Sequence, residues 1–259
     1  MAKTYNLLAF DLGASNGRAI LGQYDGMKLT LTEVHKFQNG AENVNGTLYW
    51  NILGLYSEII TGLRLAAKQV DRIDSIALDT WGVDYGLLDA NDQLLGNPYM
   101  YRDKRTDGLL DEILAKVPAQ DIYSLTGIQF MQINTIVQLY ADKLYRPWIL
   151  ENAKSLLFMP DLLNFFLTGK KYNEYTDAST SQLFDPTRTM WADELFAKLD
   201  LPRELMQEII FPGDVVGNIT EHVKRLTGVD YDIPVIAVGS HDTASAVAAT
   251  PLNDSETSI

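Results

Sequence analysis

The sequence predicts an α/β protein with a mixed β-sheet flanked by helices and broken by a helical insertion. Three observations carry this. The first 40 residues read as strands and turns, a helix-period stretch with a further short strand follows, and helical periodicity then dominates from Arg102 to about Lys198. Strands are expected at Tyr5–Asp11, Gly17–Tyr24 and Leu29–Phe37, with Tyr24-Asp25-Gly26 turning the chain between the last two. A helix from Trp50 to about Val70 places Ile52, Leu55, Ile59, Ile60 and Leu63 on one face. Asp74–Asp79 and Val83–Asp89 read as short buried strands. Three strands, a helix and a further strand make a compact order with a mixed sheet.

The insertion reads as helices at Arg105–Lys116, Ala119–Leu125, Thr135–Tyr145, Asp161–Thr168 and Ala192–Leu199, with Gly169 in the position of a C-terminal stop. Tyr175–Phe184, rich in Thr176, Ser179, Thr180 and Ser181, is either a polar-faced helix lining a cleft or a well-capped connector. The chain then returns through Val215–Ile219, a short helix to Leu226, a strand at Val235–Val238 and an alanine-rich helix at Thr243–Ala249.

Composition narrows the partners. A length of 259 residues suits one large domain or two small ones. A net charge of −13 repels polyphosphate backbones, so nucleic acid is not an expected partner. The absence of cysteine excludes disulfides, thiolate catalysis and cysteine-based zinc sites, and suits a reducing cytoplasm. His35, His222 and His241 are too scattered to suggest a metal cluster. No signal pattern opens the chain, and no apolar run approaches the roughly 18 residues that span a bilayer. A cytoplasmic protein with no membrane partner is expected.

Three strand-terminal corners carry the chemistry. Asp11-Leu12-Gly13-Ala14-Ser15-Asn16-Gly17-Arg18 follows an apolar strand. Its glycines could let backbone N–H groups converge on an anion, with Ser15 and Asn16 as further donors, Arg18 as added positive charge and Asp11 holding Mg²⁺ through water. A plain hairpin turn is equally open here, because Asn16-Gly17 is a strong hairpin signal. In Gly239-Ser240-His241-Asp242-Thr243, Asp242 or Ser240 could simply cap the next helix; Asp242 could also serve as a positioned base. In Asp79-Thr80-Trp81-Gly82-Val83-Asp84-Tyr85, the two aspartates offer acceptors for sugar hydroxyls, Trp81 and Tyr85 offer apolar faces, and Gly82 allows close backbone approach. Paired carboxylates also raise a glycosidase, but that leaves the glycine corner unused. Tyr101-Arg102-Asp103-Lys104-Arg105 is the one basic stretch, a solvated helix start or a source of substrate contacts at Arg102 or Asp103.

Taken in order, these segments resemble the FGGY carbohydrate kinases of the actin-like, ribonuclease-H-like superfamily. The resemblance rests on the 11–18 corner, Asp79–Asp84, Tyr101-Arg102-Asp103, Gly127-Ile128-Gln129-Phe130 with Asn134-Thr135, Met159-Pro160-Asp161, Leu167-Thr168-Gly169 and Ser240–Val247, and runs from residue 6 to residue 252. It implies ATP-dependent phosphorylation of the 1-hydroxyl of a small ketose. L-rhamnulose is the expected substrate, with L-fuculose or D-xylulose, or a non-catalytic sugar-binding domain, as alternatives. Asp242 would be the catalytic base. Gly82, His241, Asp242 and Thr243 would contact sugar, with Asp79, Trp81 and Asp84 beside them. Ala14, Ser15, Asn16, Gly17 and Arg18 would face the nucleotide phosphates, and Asp11 the Mg²⁺. Asn16 stands where many relatives have Ser.

Family members are roughly twice this length, with two domains around a cleft. Residues 1–250 are therefore expected to be the N-terminal sugar-binding domain and 251–259 the start of a linker. The C-terminal nucleotide-binding domain is expected to lie outside this chain. Little or no turnover is expected from the chain alone, since it lacks half the nucleotide grip and cannot close a dry cleft.

Overall fold

A computed structural model describes residues 3–252. Most of the expected linker, from residue 253 onward, lies outside the described residues. Strands β1 (Tyr5–Leu12), β2 (Asn16–Tyr24) and β3 (Leu29–Gln38) form the expected antiparallel meander. A second hairpin follows, β4 (Ala41–Val44) and β5 (Thr47–Trp50), turned by Asn45 and Gly46 at φ 54° and 87°. Helix α1 (Ile52–Ala67) begins after Asn51, whose side chain accepts the Gly54 amide at 2.9 Å. It buries Ile52, Leu55, Ile59, Ile60 and Leu63, the predicted face. Trp50, expected inside this helix, instead ends β5 fully buried.

Next come β6 (Ser75–Thr80) and β7 (Tyr85–Leu88), then the insertion helices α2 (Leu109–Lys116), α3 (Ala119–Thr126), α4 (Thr135–Tyr145) and α5 (Pro147–Asn152). The first of these starts later than its periodicity suggests because Gly108, at φ 78°, breaks the run, and Asp103 caps only a short turn at Lys104–Thr106. Strand β8 (Ser155–Phe158) pairs antiparallel with β7 and leads into α6 (Met159–Thr168), which Gly169 ends in the left-handed conformation. The chain continues through β9 (Asn173–Glu174), α7 (Tyr175–Thr180), β10 (Phe184–Asp185), β11 (Met190–Trp191), α8 (Asp193–Leu199) and β12 (Ile209–Ile210). It closes with β13 (Val215–Asn218), α9 (Glu221–Thr227), β14 (Pro234–Ile236) and α10 (Asp242–Ala249).

The main sheet has six strands in the order β13-β14-β6-β1-β2-β3. At its centre β14, β6 and β1 run parallel, flanked by antiparallel pairs on both sides. Leu8, Phe10 and Leu12 of β1 and Ile76 and Leu78 of β6 share one core with α1 and α6. A second core, including Leu109, Ile136, Tyr140, Phe158, Phe184 and Trp191, holds the insertion together. The insertion is thus a packed body of its own, which sets a wall beside the sheet's edge.

Candidate functional site

Each chemical corner follows the carboxyl end of one of the three parallel strands, where open α/β sheets bind their ligands. Parallel register places Asp11 of β1 directly opposite Asp79 of β6. The Thr80 amide donates to the Ser240 carbonyl at 2.8 Å, which draws the third corner alongside the second. Asp11, Asp79 and Asp242 consequently crowd together. Burial, then the charges of Asp11 and Asp242, push the Asp79 carboxyl up to about 7.

The first corner is indeed a hairpin. Leu12 pairs with Gly17, and the Gly13 amide donates to the Asn16 carbonyl at 2.9 Å. Asn39, which the sequence reading missed, clamps the turn by donating to the carbonyls of Gly13 (2.8 Å) and Ser15 (3.1 Å). Among the described residues the Ala14 and Ser15 amides have no protein acceptor, so the hairpin also leaves donors for an anion. Gly17 is explained differently from the expectation. A Cβ there would press into the Phe37 ring and sit 3.0 Å from Leu12 Cδ2, so packing demands this glycine. Arg18 Nε lies 3.5 Å from Asp11 Oδ2, close enough for an ion pair but without a hydrogen bond.

Two aspartates expected on the sugar wall sit elsewhere. Asp84 is fully buried and serves as an internal hub: its Oδ2 accepts from Trp50 Nε1 (2.5 Å), Trp81 Nε1 (3.0 Å) and the Tyr101 amide (3.1 Å), while Oδ1 accepts from Gln138 Nε2 (2.7 Å). It supports the wall from behind, with no exposed surface of its own. Asp79 belongs with Asp11 and Asp242 on the charged side. Asp103 is likewise internal, accepting the Leu48 and Arg105 amides. Arg105, read as part of a solvated charge run, is half-buried against Asp142 at 2.7 Å and holds Gln138.

The open cleft, about 510 Å³, lies between Trp81, Gly82 and His241 on one side and Ile128, Gln129 and Met131 of the insertion on the other, with Arg102 at its rim. Trp81 packs against Trp50 at 3.9 Å between ring centres, with the rings tilted by 35°. Gly82 sits in tight space: a Cβ would lie 3.0 Å from Thr180 and 3.2 Å from His241 Cδ2. Next to it, Val83 has φ 69°, and the Asp84 amide donates to the Gly82 carbonyl at 3.0 Å. This is a strained three-residue turn for a β-branched residue. Thr180 Oγ1 accepts the Val83 amide, and Thr135 Oγ1 donates to its carbonyl, which hold the turn in place.

Asp242 opens α10, where the helix dipole favours its charge; Thr243 Oγ1 donates to it at 3.2 Å. His241 Nε2 lies 3.5 Å from Asp242 Oδ1; burial lowers the imidazole below its ordinary value of 6.5, outweighing that carboxylate. At neutral pH His241 therefore presents an uncharged ring to the cleft.

A mixed sheet with three Asp- and Gly-bearing corners at the carboxyl ends of its parallel strands defines an α/β domain of the actin-like, ribonuclease-H-like class. Solved sugar-kinase structures share this fold: a ligand-bound xylulose kinase from Lactobacillus acidophilus superposes with a TM-score of 0.79 at 19% identity, over 90% of this chain and 47% of that one. The chain belongs to the FGGY family of carbohydrate kinases, whose N-terminal domain it matches over residues 6–248. It is 43% identical over 249 residues to a rhamnulokinase of Bacteroides thetaiotaomicron, covering 96% of this chain and 51% of that protein. It is 42% identical over 244 residues to one of Oceanobacillus iheyensis, covering 94% and 52%. The chain spans about half the length of these curated relatives. Among the described residues, no helix is long and apolar enough to cross a membrane.

Proposed function

We propose that this chain is the sugar-binding part of an ATP-dependent kinase that phosphorylates the 1-hydroxyl of L-rhamnulose. One observation carries the reading. Asp242 stands where the charged corner of Asp11 and Asp79 meets the cleft of Trp81, Gly82 and His241. A ketose lying on Trp81 and against the Gly82 backbone would present its terminal hydroxyl to Asp242. Asp242 would take the hydroxyl proton as the oxygen bonds to the γ-phosphorus of ATP, and the bond to the β,γ-bridging oxygen would break to release ADP. A weak base suffices, because phosphoryl transfer depends mainly on alignment and charge. The neutral His241 and Thr243 would contact sugar, and Ala14 to Arg18 would face the phosphates.

The donor set fits Mg²⁺, a hard cation that takes oxygen ligands and keeps much of its water. Burial raises the Asp79 carboxyl most and the charges of Asp11 and Asp242 add to it; a divalent cation would relieve that charge crowding, and Asp11 with Asp79 would hold it. Among the described residues no cage of three or more such side chains is ready-made, so water would bridge most of its contacts. When bound, the ion neutralises charge on the phosphoryl group.

The two relatives named rhamnulokinase support L-rhamnulose over other ketoses. Titration calorimetry of this chain with L-rhamnulose, L-fuculose and D-xylulose tests recognition. ADP release is measured on a polypeptide joining this chain to the second half of the Bacteroides relative. L-rhamnulose should bind most tightly, and Asp242→Asn should cut ADP release by at least about a hundredfold while sugar binding survives. Equal affinities and rates across the three ketoses would refute the substrate, and turnover that survives Asp242→Asn would refute the base.

A further inference from the structure

Helix α7 has six residues, yet it is bonded to two of the corners, the Gly82–Val83 turn and the Ser240–His241 segment. At its start, Glu174 Oε2 accepts the Thr176 and Asp177 amides at 2.9 and 3.3 Å, an ordinary cap. The same oxygen also accepts the Thr176 hydroxyl at 2.6 Å and the Ser240 amide at 3.2 Å. Thr176 Oγ1 in turn accepts the His241 amide at 3.2 Å. Two consecutive amides directly before Asp242 are therefore held by α7. A helix cap alone has no need to reach Ser240. At the other end, Thr180 Oγ1 accepts the Val83 amide at 3.1 Å and donates to the Asp177 carbonyl at 2.8 Å. Thr180 and His241 also both border the space that a side chain at Gly82 would fill.

The base of α7 is rigidly seated. The Glu174 amide donates to Asp161 of α6, and Asn173 Nδ2 donates to the same carboxyl at 3.2 Å. Glu174 and Asp177 are buried, so water does not compete for these contacts.

We propose that α7 is a strut that sets the spacing between the Gly82–Val83 turn and the His241–Asp242 corner. Glu174, Thr176 and Thr180 are then positioning residues for the phosphoryl transfer proposed above, a reading on which this inference rests. Their separation along the chain from both corners makes the effect invisible to any local motif. Its consequence is kinetic, since a misplacement of about 1 Å at a reacting group can cost about a hundredfold in rate.

The test uses Glu174→Ala, Glu174→Gln, Thr176→Val and Thr180→Val. Amide hydrogen exchange on this chain reads the strut directly. Exchange at Ser240 should speed up about tenfold in Glu174→Ala, and at His241 in Thr176→Val, while Ile76 in the sheet core keeps its protection. In the joined polypeptide, Glu174→Ala should lower kcat by about a hundredfold with KM little changed. Glu174→Gln keeps an acceptor oxygen and should recover most of that loss. Glu174→Ala combined with Thr180→Val should fall short of additivity, because both loosen one element. Unchanged exchange at Ser240 and His241 would overturn the strut. So would a kcat that merely follows the thermal midpoint, with Gln no better than Ala. If the unsubstituted polypeptide neither binds a ketose nor releases ADP, the functional reading fails by itself, and the exchange data still decide whether α7 holds the corner.

Discussion

Asp84 makes the sharpest test of how this wall is built, because its environment opposes itself. Four donors point at the carboxylate, which favours its charge, and complete burial disfavours that charge more strongly. Burial wins: the carboxyl rises from 3.8 to about 6, with Gln138, Trp50, Trp81 and the Tyr101 amide pulling it back down. Below about pH 4 both folded and unfolded chains hold the proton, and the site costs nothing through ionisation. Between 4 and 6 the unfolded chain releases its proton while the folded chain retains it, so stability falls as pH rises. Above about 6 the full cost is present, of order 3 kcal/mol for a rise of that size. Asp84→Asn removes the titration but sets an amide N–H₂ among groups that all donate, stranding at least one buried donor at about 1–3 kcal/mol. The substitution should therefore cost more at pH 4 than at pH 7.5, with the difference between the two pH values about 2.5 kcal/mol, because the unfolded carboxyl is already partly ionised at pH 4. Urea unfolding of both proteins at the two pH values, followed by tryptophan fluorescence, measures this. A cost at pH 7.5 equal to or above that at pH 4 refutes the burial-dominated account and makes the four hydrogen bonds the stronger force.

Three further substitutions probe the frame. Gly17→Ala should cost about 1–3 kcal/mol, read as a lower thermal midpoint, because the new methyl meets the Phe37 ring; adding Phe37→Leu should return part of it. Gly62→Ala should also destabilise in calorimetry although alanine favours helix by about 1 kcal/mol, since its Cβ would sit 2.8 Å from Ala19 Cβ and Phe10 Cε1. Arg105→Lys should lower stability by about 1–3 kcal/mol in urea, because lysine cannot serve Asp142, the Gln138 carbonyl and the Gln138 side chain at once. A neutral result would show that Arg146, 2.6 Å from Asp142, suffices by itself.

The periods of the meander and of α1 were plain in the sequence because each element presents one face to one core, and local spacing records that. The second hairpin was legible too, from Asn45-Gly46, a strong turn signal that the sequence reading did not use. What spacing could not reveal is where long-range donors fall. Asp79 and Asp84 stand five positions apart in one corner, and as letters they invite the same role. Asp84 is claimed by Trp50, Tyr101 and Gln138, all outside the corner, and disappears into the core. Asp79 is set opposite Asp11 by strand register and near enough to Asp242 to feel its charge, so it stays with them at the carboxyl ends of the central strands.

The same logic accounts for the glycines. Gly17 suggested a phosphate turn, yet Phe37 on the neighbouring strand is what excludes a side chain there. Gly82 was expected to admit a ligand to the backbone, and the structure shows two protein groups, Thr180 and His241, already bordering the space a side chain there would need. A glycine in a motif therefore marks a close approach without saying by what. At Gly82 the approach that the sequence associated with sugar is first made by α7 and by the residue before Asp242. On the proposed function, the fit of the cleft to a ketose would thus be inseparable from the contacts that fix Asp242 relative to the sheet, and a substitution at Gly82 would disturb sugar binding and the alignment of Asp242 together.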